Sequence, residues 1–346
     1  MHGAHMATEI AEQPGVFARI LRDGVGAIAS VAATVRARGP RFAVFVARGT
    51  SDHAALYAKY LVETRLGLPA GLASPSTITV YGARPAMVDV LAVAVSQSGA
   101  SPDLVESLTR MRAGGAITVA ITNTPDSPLA QAAEWHLNIL AGPEQAVAAT
   151  KSYTAQLLTL YLFIEHLAGG GVPDDATRLP ERARVTLAGA EAVAALAVRY
   201  HFAEQIVTTA RGYNHATALE AALKLMETSY LVAHAFSAAD LLHGPLAMIS
   251  RGFPVVAVVP TGPGGDALRP VLARLRERGA DILVVGDVAV AQAYNALVLP
   301  LPDVGPEPLS PLLAILPLQQ FAWQLARLRG EDPDAPRGLR KITETR

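Results

Sequence analysis

Short apolar segments alternate with polar loops and amphipathic segments along most of the chain. Val90–Val95 and Val255–Val259 are apolar throughout, have the length of strands and are far too short to span a membrane. Each is followed by a loop rich in Gly, Ser, Thr or Pro and then by a segment of helical character. Uniformly apolar strands are typical of parallel sheets that helices cover on both faces. The pattern therefore predicts an α/β protein.

This pattern occurs twice, which indicates an internal repeat. The similar segments are FAVFVARGTSDHAALYAKYLVET (Phe42–Thr64) with EQIVTTARGYNHATALEAALKLMET (Glu204–Thr228), and VLAVAVSQSGASPD with PVVAVVPTGPGGD. Gly49 and Gly212 are 163 positions apart (212 minus 49), and so are Gly99 and Gly262 (262 minus 99). A spacing kept across two separate strand–loop–helix units predicts two tandem copies of one doubly wound parallel-sheet domain.

The predicted organisation has four parts. They are an N-terminal segment (1–20), a first domain (21–170), a second domain (183–330) and a proline-punctuated polar C-terminal tail (331–346). A glycine run, prolines and charges in Leu167–Arg182 mark the linker between the copies. Open parallel sheets bind ligands beyond the carboxyl ends of their strands. We therefore expect functional residues in the loops that follow the strands.

Composition excludes several classes of function. The net charge is −1 with no long Lys/Arg cluster, so nucleic acid is not an expected partner. The chain has no cysteine, which excludes disulfides, thiolate metal sites and a cysteine nucleophile. Its nine histidines are scattered, so neither a metal site nor an organic cofactor is expected. The N-terminus lacks the pattern of a signal peptide, so a soluble cytoplasmic protein is expected. The residues before Met6 are expected to be a leader or a cloning remnant.

Two loops of the first copy are candidates for binding an anion. SQSGASPD follows an apolar strand and opens a helix, where hydroxyl, amide and backbone N–H donors meet the positive end of the helix. RGTSDH is a similar turn, in which the hydroxyls serve either as helix caps or as phosphate ligands. The candidate phosphate-binding residues are Ser96, Gln97, Ser98, Ser101, Thr50 and Ser51.

The corresponding loop of the second copy, PTGPGGD, is poorer in donors. Val259 and Pro260 stand where the first copy has Ser96 and Gln97, and only Thr261 keeps a hydroxyl. We therefore expect the second copy to have lost the phosphate site. Its contribution to function should come from elsewhere.

A charged stripe is the candidate chemistry of the second copy. Glu220, Lys224 and Glu227 are spaced i, i+4, i+7 and lie on one side of a helix. The stripe is either a solvent-facing ladder of ion pairs or the wall of a cleft, and the apolar residues around it favour the cleft. A lysine between two carboxylates keeps one of them ionised as a base. His243, in a turn before Gly-Pro, is a candidate proton carrier.

These segments resemble the sugar isomerase (SIS) family. The strings that carry the resemblance are ARGTS, SQSGASPD, AVAATKSYTAQ, ARGYNHATALEAALKLMETS and LLHGPLAM, together with EIAEQP near the start and PRGLRKITET near the end. The similarity covers nearly the whole chain. It is strongest to the isomerase half of glutamine–fructose-6-phosphate aminotransferase and to the stand-alone SIS-type glucosamine-6-phosphate deaminase. It implies two flavodoxin-like domains.

The resemblance also implies residue roles. The first-copy loops would bind the sugar phosphate, and Val147 would line the same pocket through its backbone. Glu227 falls on the carboxylate that moves a proton between C1 and C2, with Lys224 and Glu220 beside it. His243 falls on the ring-opening histidine, which in the family comes from the neighbouring subunit of a dimer. Lys341 falls on the tail lysine that forms a Schiff base in the synthase.

Departures from the synthase pattern favour the deaminase. The chain has no cysteine and no glutaminase segment, so it is not expected to draw ammonia from glutamine. The synthase pattern has Cys before Gly-Thr-Ser, Glu-Thr after Ser-Gln-Ser-Gly, and Lys both before the Glu of the helix and before His-Gly-Pro. At these positions this chain has Arg48, Ala-Ser-Pro at 100–102, Met226 and Leu242. We expect hydrolytic deamination of glucosamine 6-phosphate to fructose 6-phosphate and ammonia, by a homodimer with shared active sites. The apolar residues of 230–242 are expected at its interface. The alternatives are a deglycase or isomerase for another phosphorylated amino sugar or fructosamine 6-phosphate, and a non-catalytic sugar-phosphate-binding regulator.

Overall fold

The apolar segments form the strands of two parallel sheets, each with five strands. The computed structural model describes residues 2–341. Within that part of the chain the residues form two compact units. The first unit comprises residues 15–144, 151–177 and 339–341, and the second comprises 2–14, 145–150 and 178–338.

The sheet of the first unit has strand order β2-β1-β3-β4-β5, and every pair in it is parallel. Its strands are β1 (Phe42–Val46), β2 (Ala70–Leu72), β3 (Val90–Val95), β4 (Ile117–Thr122) and β5 (Trp135–Asn138). All six residues of β4 and the last five of β3 are buried, because helices cover both faces of the sheet. This order is that of a flavodoxin-like doubly wound sheet, whose ligand position lies between β1 and β3.

The sheet of the second unit has order β10-β9-β8-β6-β7, again parallel throughout. Its strands are β6 (Gln205–Ala210), β7 (Val232–Ser237), β8 (Pro254–Val259), β9 (Asp281–Gly286) and β10 (Leu297–Pro300). Matched strand for strand, the two sheets have the same order. The predicted fold class, two tandem doubly wound parallel-sheet domains, is confirmed.

Helices connect the strands. They are α1 (Ala4–Arg19), α2 (Val25–Ala37), α3 (Thr50–Leu61), α4 (Pro75–Thr79), α5 (Pro102–Ala113), α6 (Pro128–Ala132), α7 (Lys151–Leu167), α8 (Asp174–Thr177), α9 (Leu179–Leu187), α10 (Ala190–Tyr200), α11 (His215–Ser229), α12 (Ala238–Leu242), α13 (Pro263–Asp266), α14 (Arg269–Glu277), α15 (Val288–Ala293) and α16 (Ser310–Leu328). Proline occupies the first turn of several of them, where its missing N–H costs no hydrogen bond. No helix among residues 2–341 has both the length and the apolar character needed to cross a membrane.

Two segments differ from the sequence-based expectation. The linker Leu167–Arg182 is not irregular throughout, since α8 and the start of α9 lie within it and Pro180 suits the first turn of α9. Of the apolar residues expected at an interface, Leu231 and Leu241 are only 3% and 0% exposed and belong to the interior of the second unit. Val232 and Leu242 are exposed, at 58% and 42%.

Candidate active site

The loop Ser96–Ser101 connects β3 to α5, and its own hydroxyls shape it. The Ser96 hydroxyl accepts the N–H of Gly99 at 3.1 Å, and the Ser98 hydroxyl accepts the N–H of Ala100 at 3.3 Å. Gly99 has φ +64°, and a Cβ there would lie 2.2 Å from the Ser127 hydroxyl, so only glycine fits. The predicted loop is thus a tight turn held by two of the serines.

Several donors of this loop remain available to a ligand. In the part of the chain that the structure describes, the backbone N–H groups of Gln97, Ser98 and Ser101 donate to no protein acceptor. The Ser101 side chain makes no capping bond to α5, although Ser101 is its N-cap residue. Unsatisfied N–H groups at the start of a long helix favour an anion. The loop therefore has the donor set of a phosphate site.

The neighbouring loop after β1 lies against the same helix. The Nε of Arg48 donates to Oδ2 of Asp103 at 2.8 Å, and the Asp103 side chain is only 1% exposed. The hydroxyl of Ser51 accepts a hydrogen bond from Nε2 of Gln156 at 3.0 Å. The N-cap of α3 is Gly49, which has no side chain to cap with. Sequence reasoning missed Asp103 and Gln156, because their partners are distant in sequence.

In the second unit, the corresponding loop is filled by the chain itself. The N–H of Gly264 donates to both carboxylate oxygens of Glu307, at 3.1 and 3.2 Å. A Cβ on Gly264 or Gly262 would lie 2.2 or 2.5 Å from that carboxylate. Burial raises the pKa of Glu307, and the Gly264 amide opposes the rise. The predicted loss of a free anion site here has a physical cause, since a carboxylate already occupies it.

The stripe on α11 is a buried ion triad. The side chains of Glu220 and Lys224 are 0% and 1% exposed, whereas Glu227 is 21% exposed. Lys224 Nζ lies 3.3 Å from Glu220 Oε1 and 2.5 Å from Glu227 Oε2. The interpretation of the stripe as a solvent-facing ladder of ion pairs is therefore wrong. Glu227 is the member of the triad that reaches the surface.

The triad is held together by electrostatics. Burial alone would lower the pKa of Lys224, but the adjacent carboxylates of Glu220 and Glu227 raise it well above its ordinary value. Lys224 is therefore a permanent ammonium group at neutral pH. Its positive charge lies next to the carboxylate of Glu227, which is the partly exposed member of the triad.

His243 lies in the predicted turn. It follows α12 directly, its N–H donates to the Asp240 carbonyl at 3.0 Å, and Gly244 has φ +135°. Pro245 then begins a 3-10 turn, Pro245–Met248. His243 is exposed, and in residues 2–341 its ring makes no hydrogen bond or ion pair, so no such bond joins it to Glu227 within that part of the chain.

Lys341 and Val147 also have defined partners. Lys341 Nζ donates to Oε2 of Glu144 at 2.7 Å, and Ser152 holds the same carboxylate. The N–H of Val147 donates to the Asp334 carbonyl at 3.1 Å, so this amide is already used within the second unit. Glu144 was not singled out in the sequence, because its lysine lies 197 positions away.

In the described residues no group of three or more His, Asp or Glu side chains is placed to hold a metal.

The chain is similar to known proteins of sugar-phosphate metabolism. A glutamine–fructose-6-phosphate aminotransferase of Methanothermobacter thermautotrophicus is 36% identical over 86% of this chain and 50% of its own length. The chain thus spans about half the length of the curated relatives it matches.

Solved structures have the same fold. A structure from Silicibacter pomeroyi, provisionally described as a phosphosugar isomerase, is 33% identical, with a TM-score of 0.86 over 96% of this chain and 100% of its own. A glucosamine-6-phosphate deaminase from Thermotoga maritima is 21% identical, with a TM-score of 0.81 over 99% of this chain and 100% of its own, which shows a shared fold. The SIS domain model matches residues 40–166 and 199–297, more than half of the chain. With the two doubly wound sheets, these matches show that the chain belongs to the SIS domain family.

Proposed function

We propose that the protein hydrolytically deaminates glucosamine 6-phosphate, giving fructose 6-phosphate and ammonia. The observation that carries the proposal is the triad of α11, in which a buried lysine contacts one buried and one partly exposed carboxylate. An aldose–ketose isomerisation needs a general base that moves a proton between two carbons, and we assign that role to the carboxylate of Glu227. A protein that only binds a sugar phosphate needs no such group.

Phosphate binding is assigned to the first unit. The N–H groups of Gln97, Ser98 and Ser101 and the Ser101 hydroxyl are placed at the start of α5, where an anion is stabilised. Support comes from the second unit, in which Gly264, the predicted counterpart of Ser101, binds the Glu307 carboxylate. The same loop position therefore accepts an anion. Thr50, Ser51 and Ser96 complete the proposed phosphate site.

The proposed reaction proceeds in three steps. His243 passes a proton between the ring oxygen and O1, which opens the pyranose. Glu227 takes the proton from C2 and delivers it to C1, so that the aldose becomes an imine at the ketose level. Water then adds to C2 and ammonia leaves, which balances glucosamine 6-phosphate plus water against fructose 6-phosphate plus ammonia. Lys224 stabilises the ionised Glu227 and the charge that develops on substrate oxygens.

One observation favours a second candidate substrate. Among residues 2–341 the guanidinium of Arg48 is bound only through Nε, and the side chain is 49% exposed beside the first turn of α5. Its terminal nitrogens suit a second anionic group, such as the carboxylate of a glycated amino acid. A fructosamine 6-phosphate is therefore the alternative substrate, with the same phosphate site.

An ammonia-release assay tests the proposal. Purified protein is incubated without glutamine with glucosamine 6-phosphate, its 2-epimer and the fructosamine 6-phosphate of an amino acid. Ammonia and ketose phosphate are measured for the amino sugars, and free amino acid and aldose phosphate for the fructosamine. Equal amounts of ammonia and fructose 6-phosphate from glucosamine 6-phosphate are expected. Release of the free amino acid together with glucose 6-phosphate from the fructosamine 6-phosphate alone would assign the second candidate, because the nitrogen of that substrate leaves with the amino acid. Binding of sugar phosphates with no product from any of them would make the protein a regulator.

A further inference from the structure

Glu144 is a buried carboxylate that Ser152 and Lys341, two residues of its own unit, contact. Its side chain is 0% exposed. Ser152 donates to it twice, from the backbone N–H at 3.0 Å and from the hydroxyl at 2.7 Å. Lys341 Nζ donates at 2.7 Å and is itself 24% exposed. A carboxylate without access to water requires such partners, because an unpaired buried charge is strongly destabilising.

The two partners of this carboxylate lie in different kinds of structure. Ser152 is the second residue of α7, a helix of 17 residues that is buried along almost its whole length. Its N–H belongs to the positive end of the helix, which favours a carboxylate. Lys341, by contrast, follows residues 331–340, which contain turns and bends but no helix or strand. The Glu144 carboxylate thus binds the start of α7 through Ser152 and the ammonium group of Lys341 on the other side, and we call Glu144 together with Ser152 the socket.

The second unit has a glutamate at the same spacing, with a different partner. Glu144 and Glu307 are 163 positions apart (307 minus 144), the spacing of the two copies. Glu307 binds the amide of Gly264, and no lysine or arginine pairs with it in residues 2–341. Among residues 2–341, a lysine partner for this glutamate is therefore specific to the first unit. Ordinary packing of the repeat does not require it.

We propose that Glu144 is a positioning residue, which fixes the ammonium group of Lys341 for contact with the substrate. This rests on the proposed function and adds to it a contact between Lys341 and the sugar phosphate. The socket itself is a property of the first unit and does not depend on the reaction. Ser152 contributes by holding the Glu144 carboxylate in place, and it acts through Glu144 without touching the substrate.

Amine labelling with mass spectrometry tests the socket. The chain has four lysines, of which Lys59 pairs with Glu63 at the surface and serves as the internal reference. In Glu144→Gln, which keeps the shape of the side chain but removes its charge, acylation of Lys341 relative to Lys59 should rise about tenfold. Losing a hydrogen bond between two charged groups has an effect of about that size. An unchanged ratio in the folded variant overturns the proposal.

Ser152→Ala provides a second variant in case Glu144→Gln does not fold. It keeps both charges but removes one donor, so the labelling ratio should rise by a smaller factor, about threefold. A ratio equal to that of the wild type in this variant also contradicts the socket.

Activity separates positioning from a purely structural role. Glu144→Gln and Lys341→Met should lower kcat by similar factors, the double variant should lose no more than either, and Lys341→Arg should retain most of the activity. Losses that multiply in the double variant would show that Glu144 acts independently of Lys341. If the wild-type protein releases no ammonia from any substrate, the proposed function fails, while the labelling ratios still decide whether Glu144 holds Lys341.

Discussion

Glu307 Oε1 accepts the N–H of Gly264 at 3.1 Å, at the position that corresponds to Ser101 in the first copy of the sequence. One unit therefore fills its strand-to-helix loop with its own carboxylate. The other leaves the N–H of Ser101 without a protein acceptor in the described chain. The corresponding backbone amides of the two units therefore differ in their acceptors.

This relationship makes Ser101→Ala a direct test of the phosphate site. Its hydroxyl makes no bond within the described chain, so its removal should leave the loop intact and weaken fructose 6-phosphate binding by about 1.5–3 kcal/mol, roughly tenfold or more. Isothermal titration calorimetry gives the dissociation constant. Thr261→Ala, in the loop of the second unit, is the matched control and should bind as the wild type does. Equal affinity in both variants would place the phosphate elsewhere.

Glu227→Gln should abolish turnover without abolishing binding. An amide preserves size and hydrogen bonding but cannot carry the proton between C2 and C1, so kcat should fall by about 10²–10⁴-fold. Ammonia release measures kcat, and calorimetry measures sugar-phosphate affinity in the same preparation. Glu63→Gln removes an exposed carboxylate that also pairs with a lysine, and it should be as active as the wild type. Turnover at the wild-type rate in Glu227→Gln would remove this residue from the mechanism.

Lys224→Met should destabilise the second unit strongly. The substitution leaves the buried Glu220 without its ammonium partner, and breaking a buried ion pair costs about 3–5 kcal/mol. Urea denaturation followed by circular dichroism measures the free energy of unfolding. Lys59→Met breaks a surface pair, for which less than about 1 kcal/mol is expected. Similar small losses in the two variants would mean that the triad contributes little to folding.

Acid should weaken the first unit through Glu144. Burial would raise the pKa of this carboxyl, but Lys341 and Ser152 outweigh burial and hold it below its ordinary value of 4.5. A lowered folded-state pKa means that this stabilisation is complete above about pH 4.5 and is lost as pH falls through the folded pKa, because only the unfolded state is readily protonated. The free energy of unfolding should therefore decline below pH 4.5. The decline should be shallower in Glu144→Gln, and parallel curves for the two proteins would contradict this.

A homodimer with shared sites predicts complementation between inactive variants. His243 is exposed at the end of α12, next to the exposed Leu242, so a second copy can reach it. Mixing His243→Ala with Glu227→Gln under subunit exchange puts both lesions into one site of each heterodimer. Activity should then recover to about one quarter of the wild type at full random exchange. If mass spectrometry shows exchange and no activity returns, His243 serves its own subunit.

The order of apolar and polar residues determined the two parallel sheets and where their loops lie. Uniformly apolar strands such as β3 and β8 bury their side chains only when helices cover both faces of the sheet. The pattern therefore specifies the fold class before any contact is known. The helical spacing likewise placed Glu220, Lys224 and Glu227 on one stripe. These features depend on neighbours in sequence, which the sequence records directly.

Only the tertiary structure decided which of those residues is available to a ligand. Spacing cannot distinguish the fully buried Glu220 from the partly exposed Glu227, because burial depends on what other elements pack against α11. Contacts such as Arg48 with Asp103, Gly264 with Glu307, and Glu144 with Lys341 join residues 55, 43 and 197 positions apart. A charged side chain takes the partner that the folded chain brings within hydrogen-bond distance, and no local pattern encodes that distance.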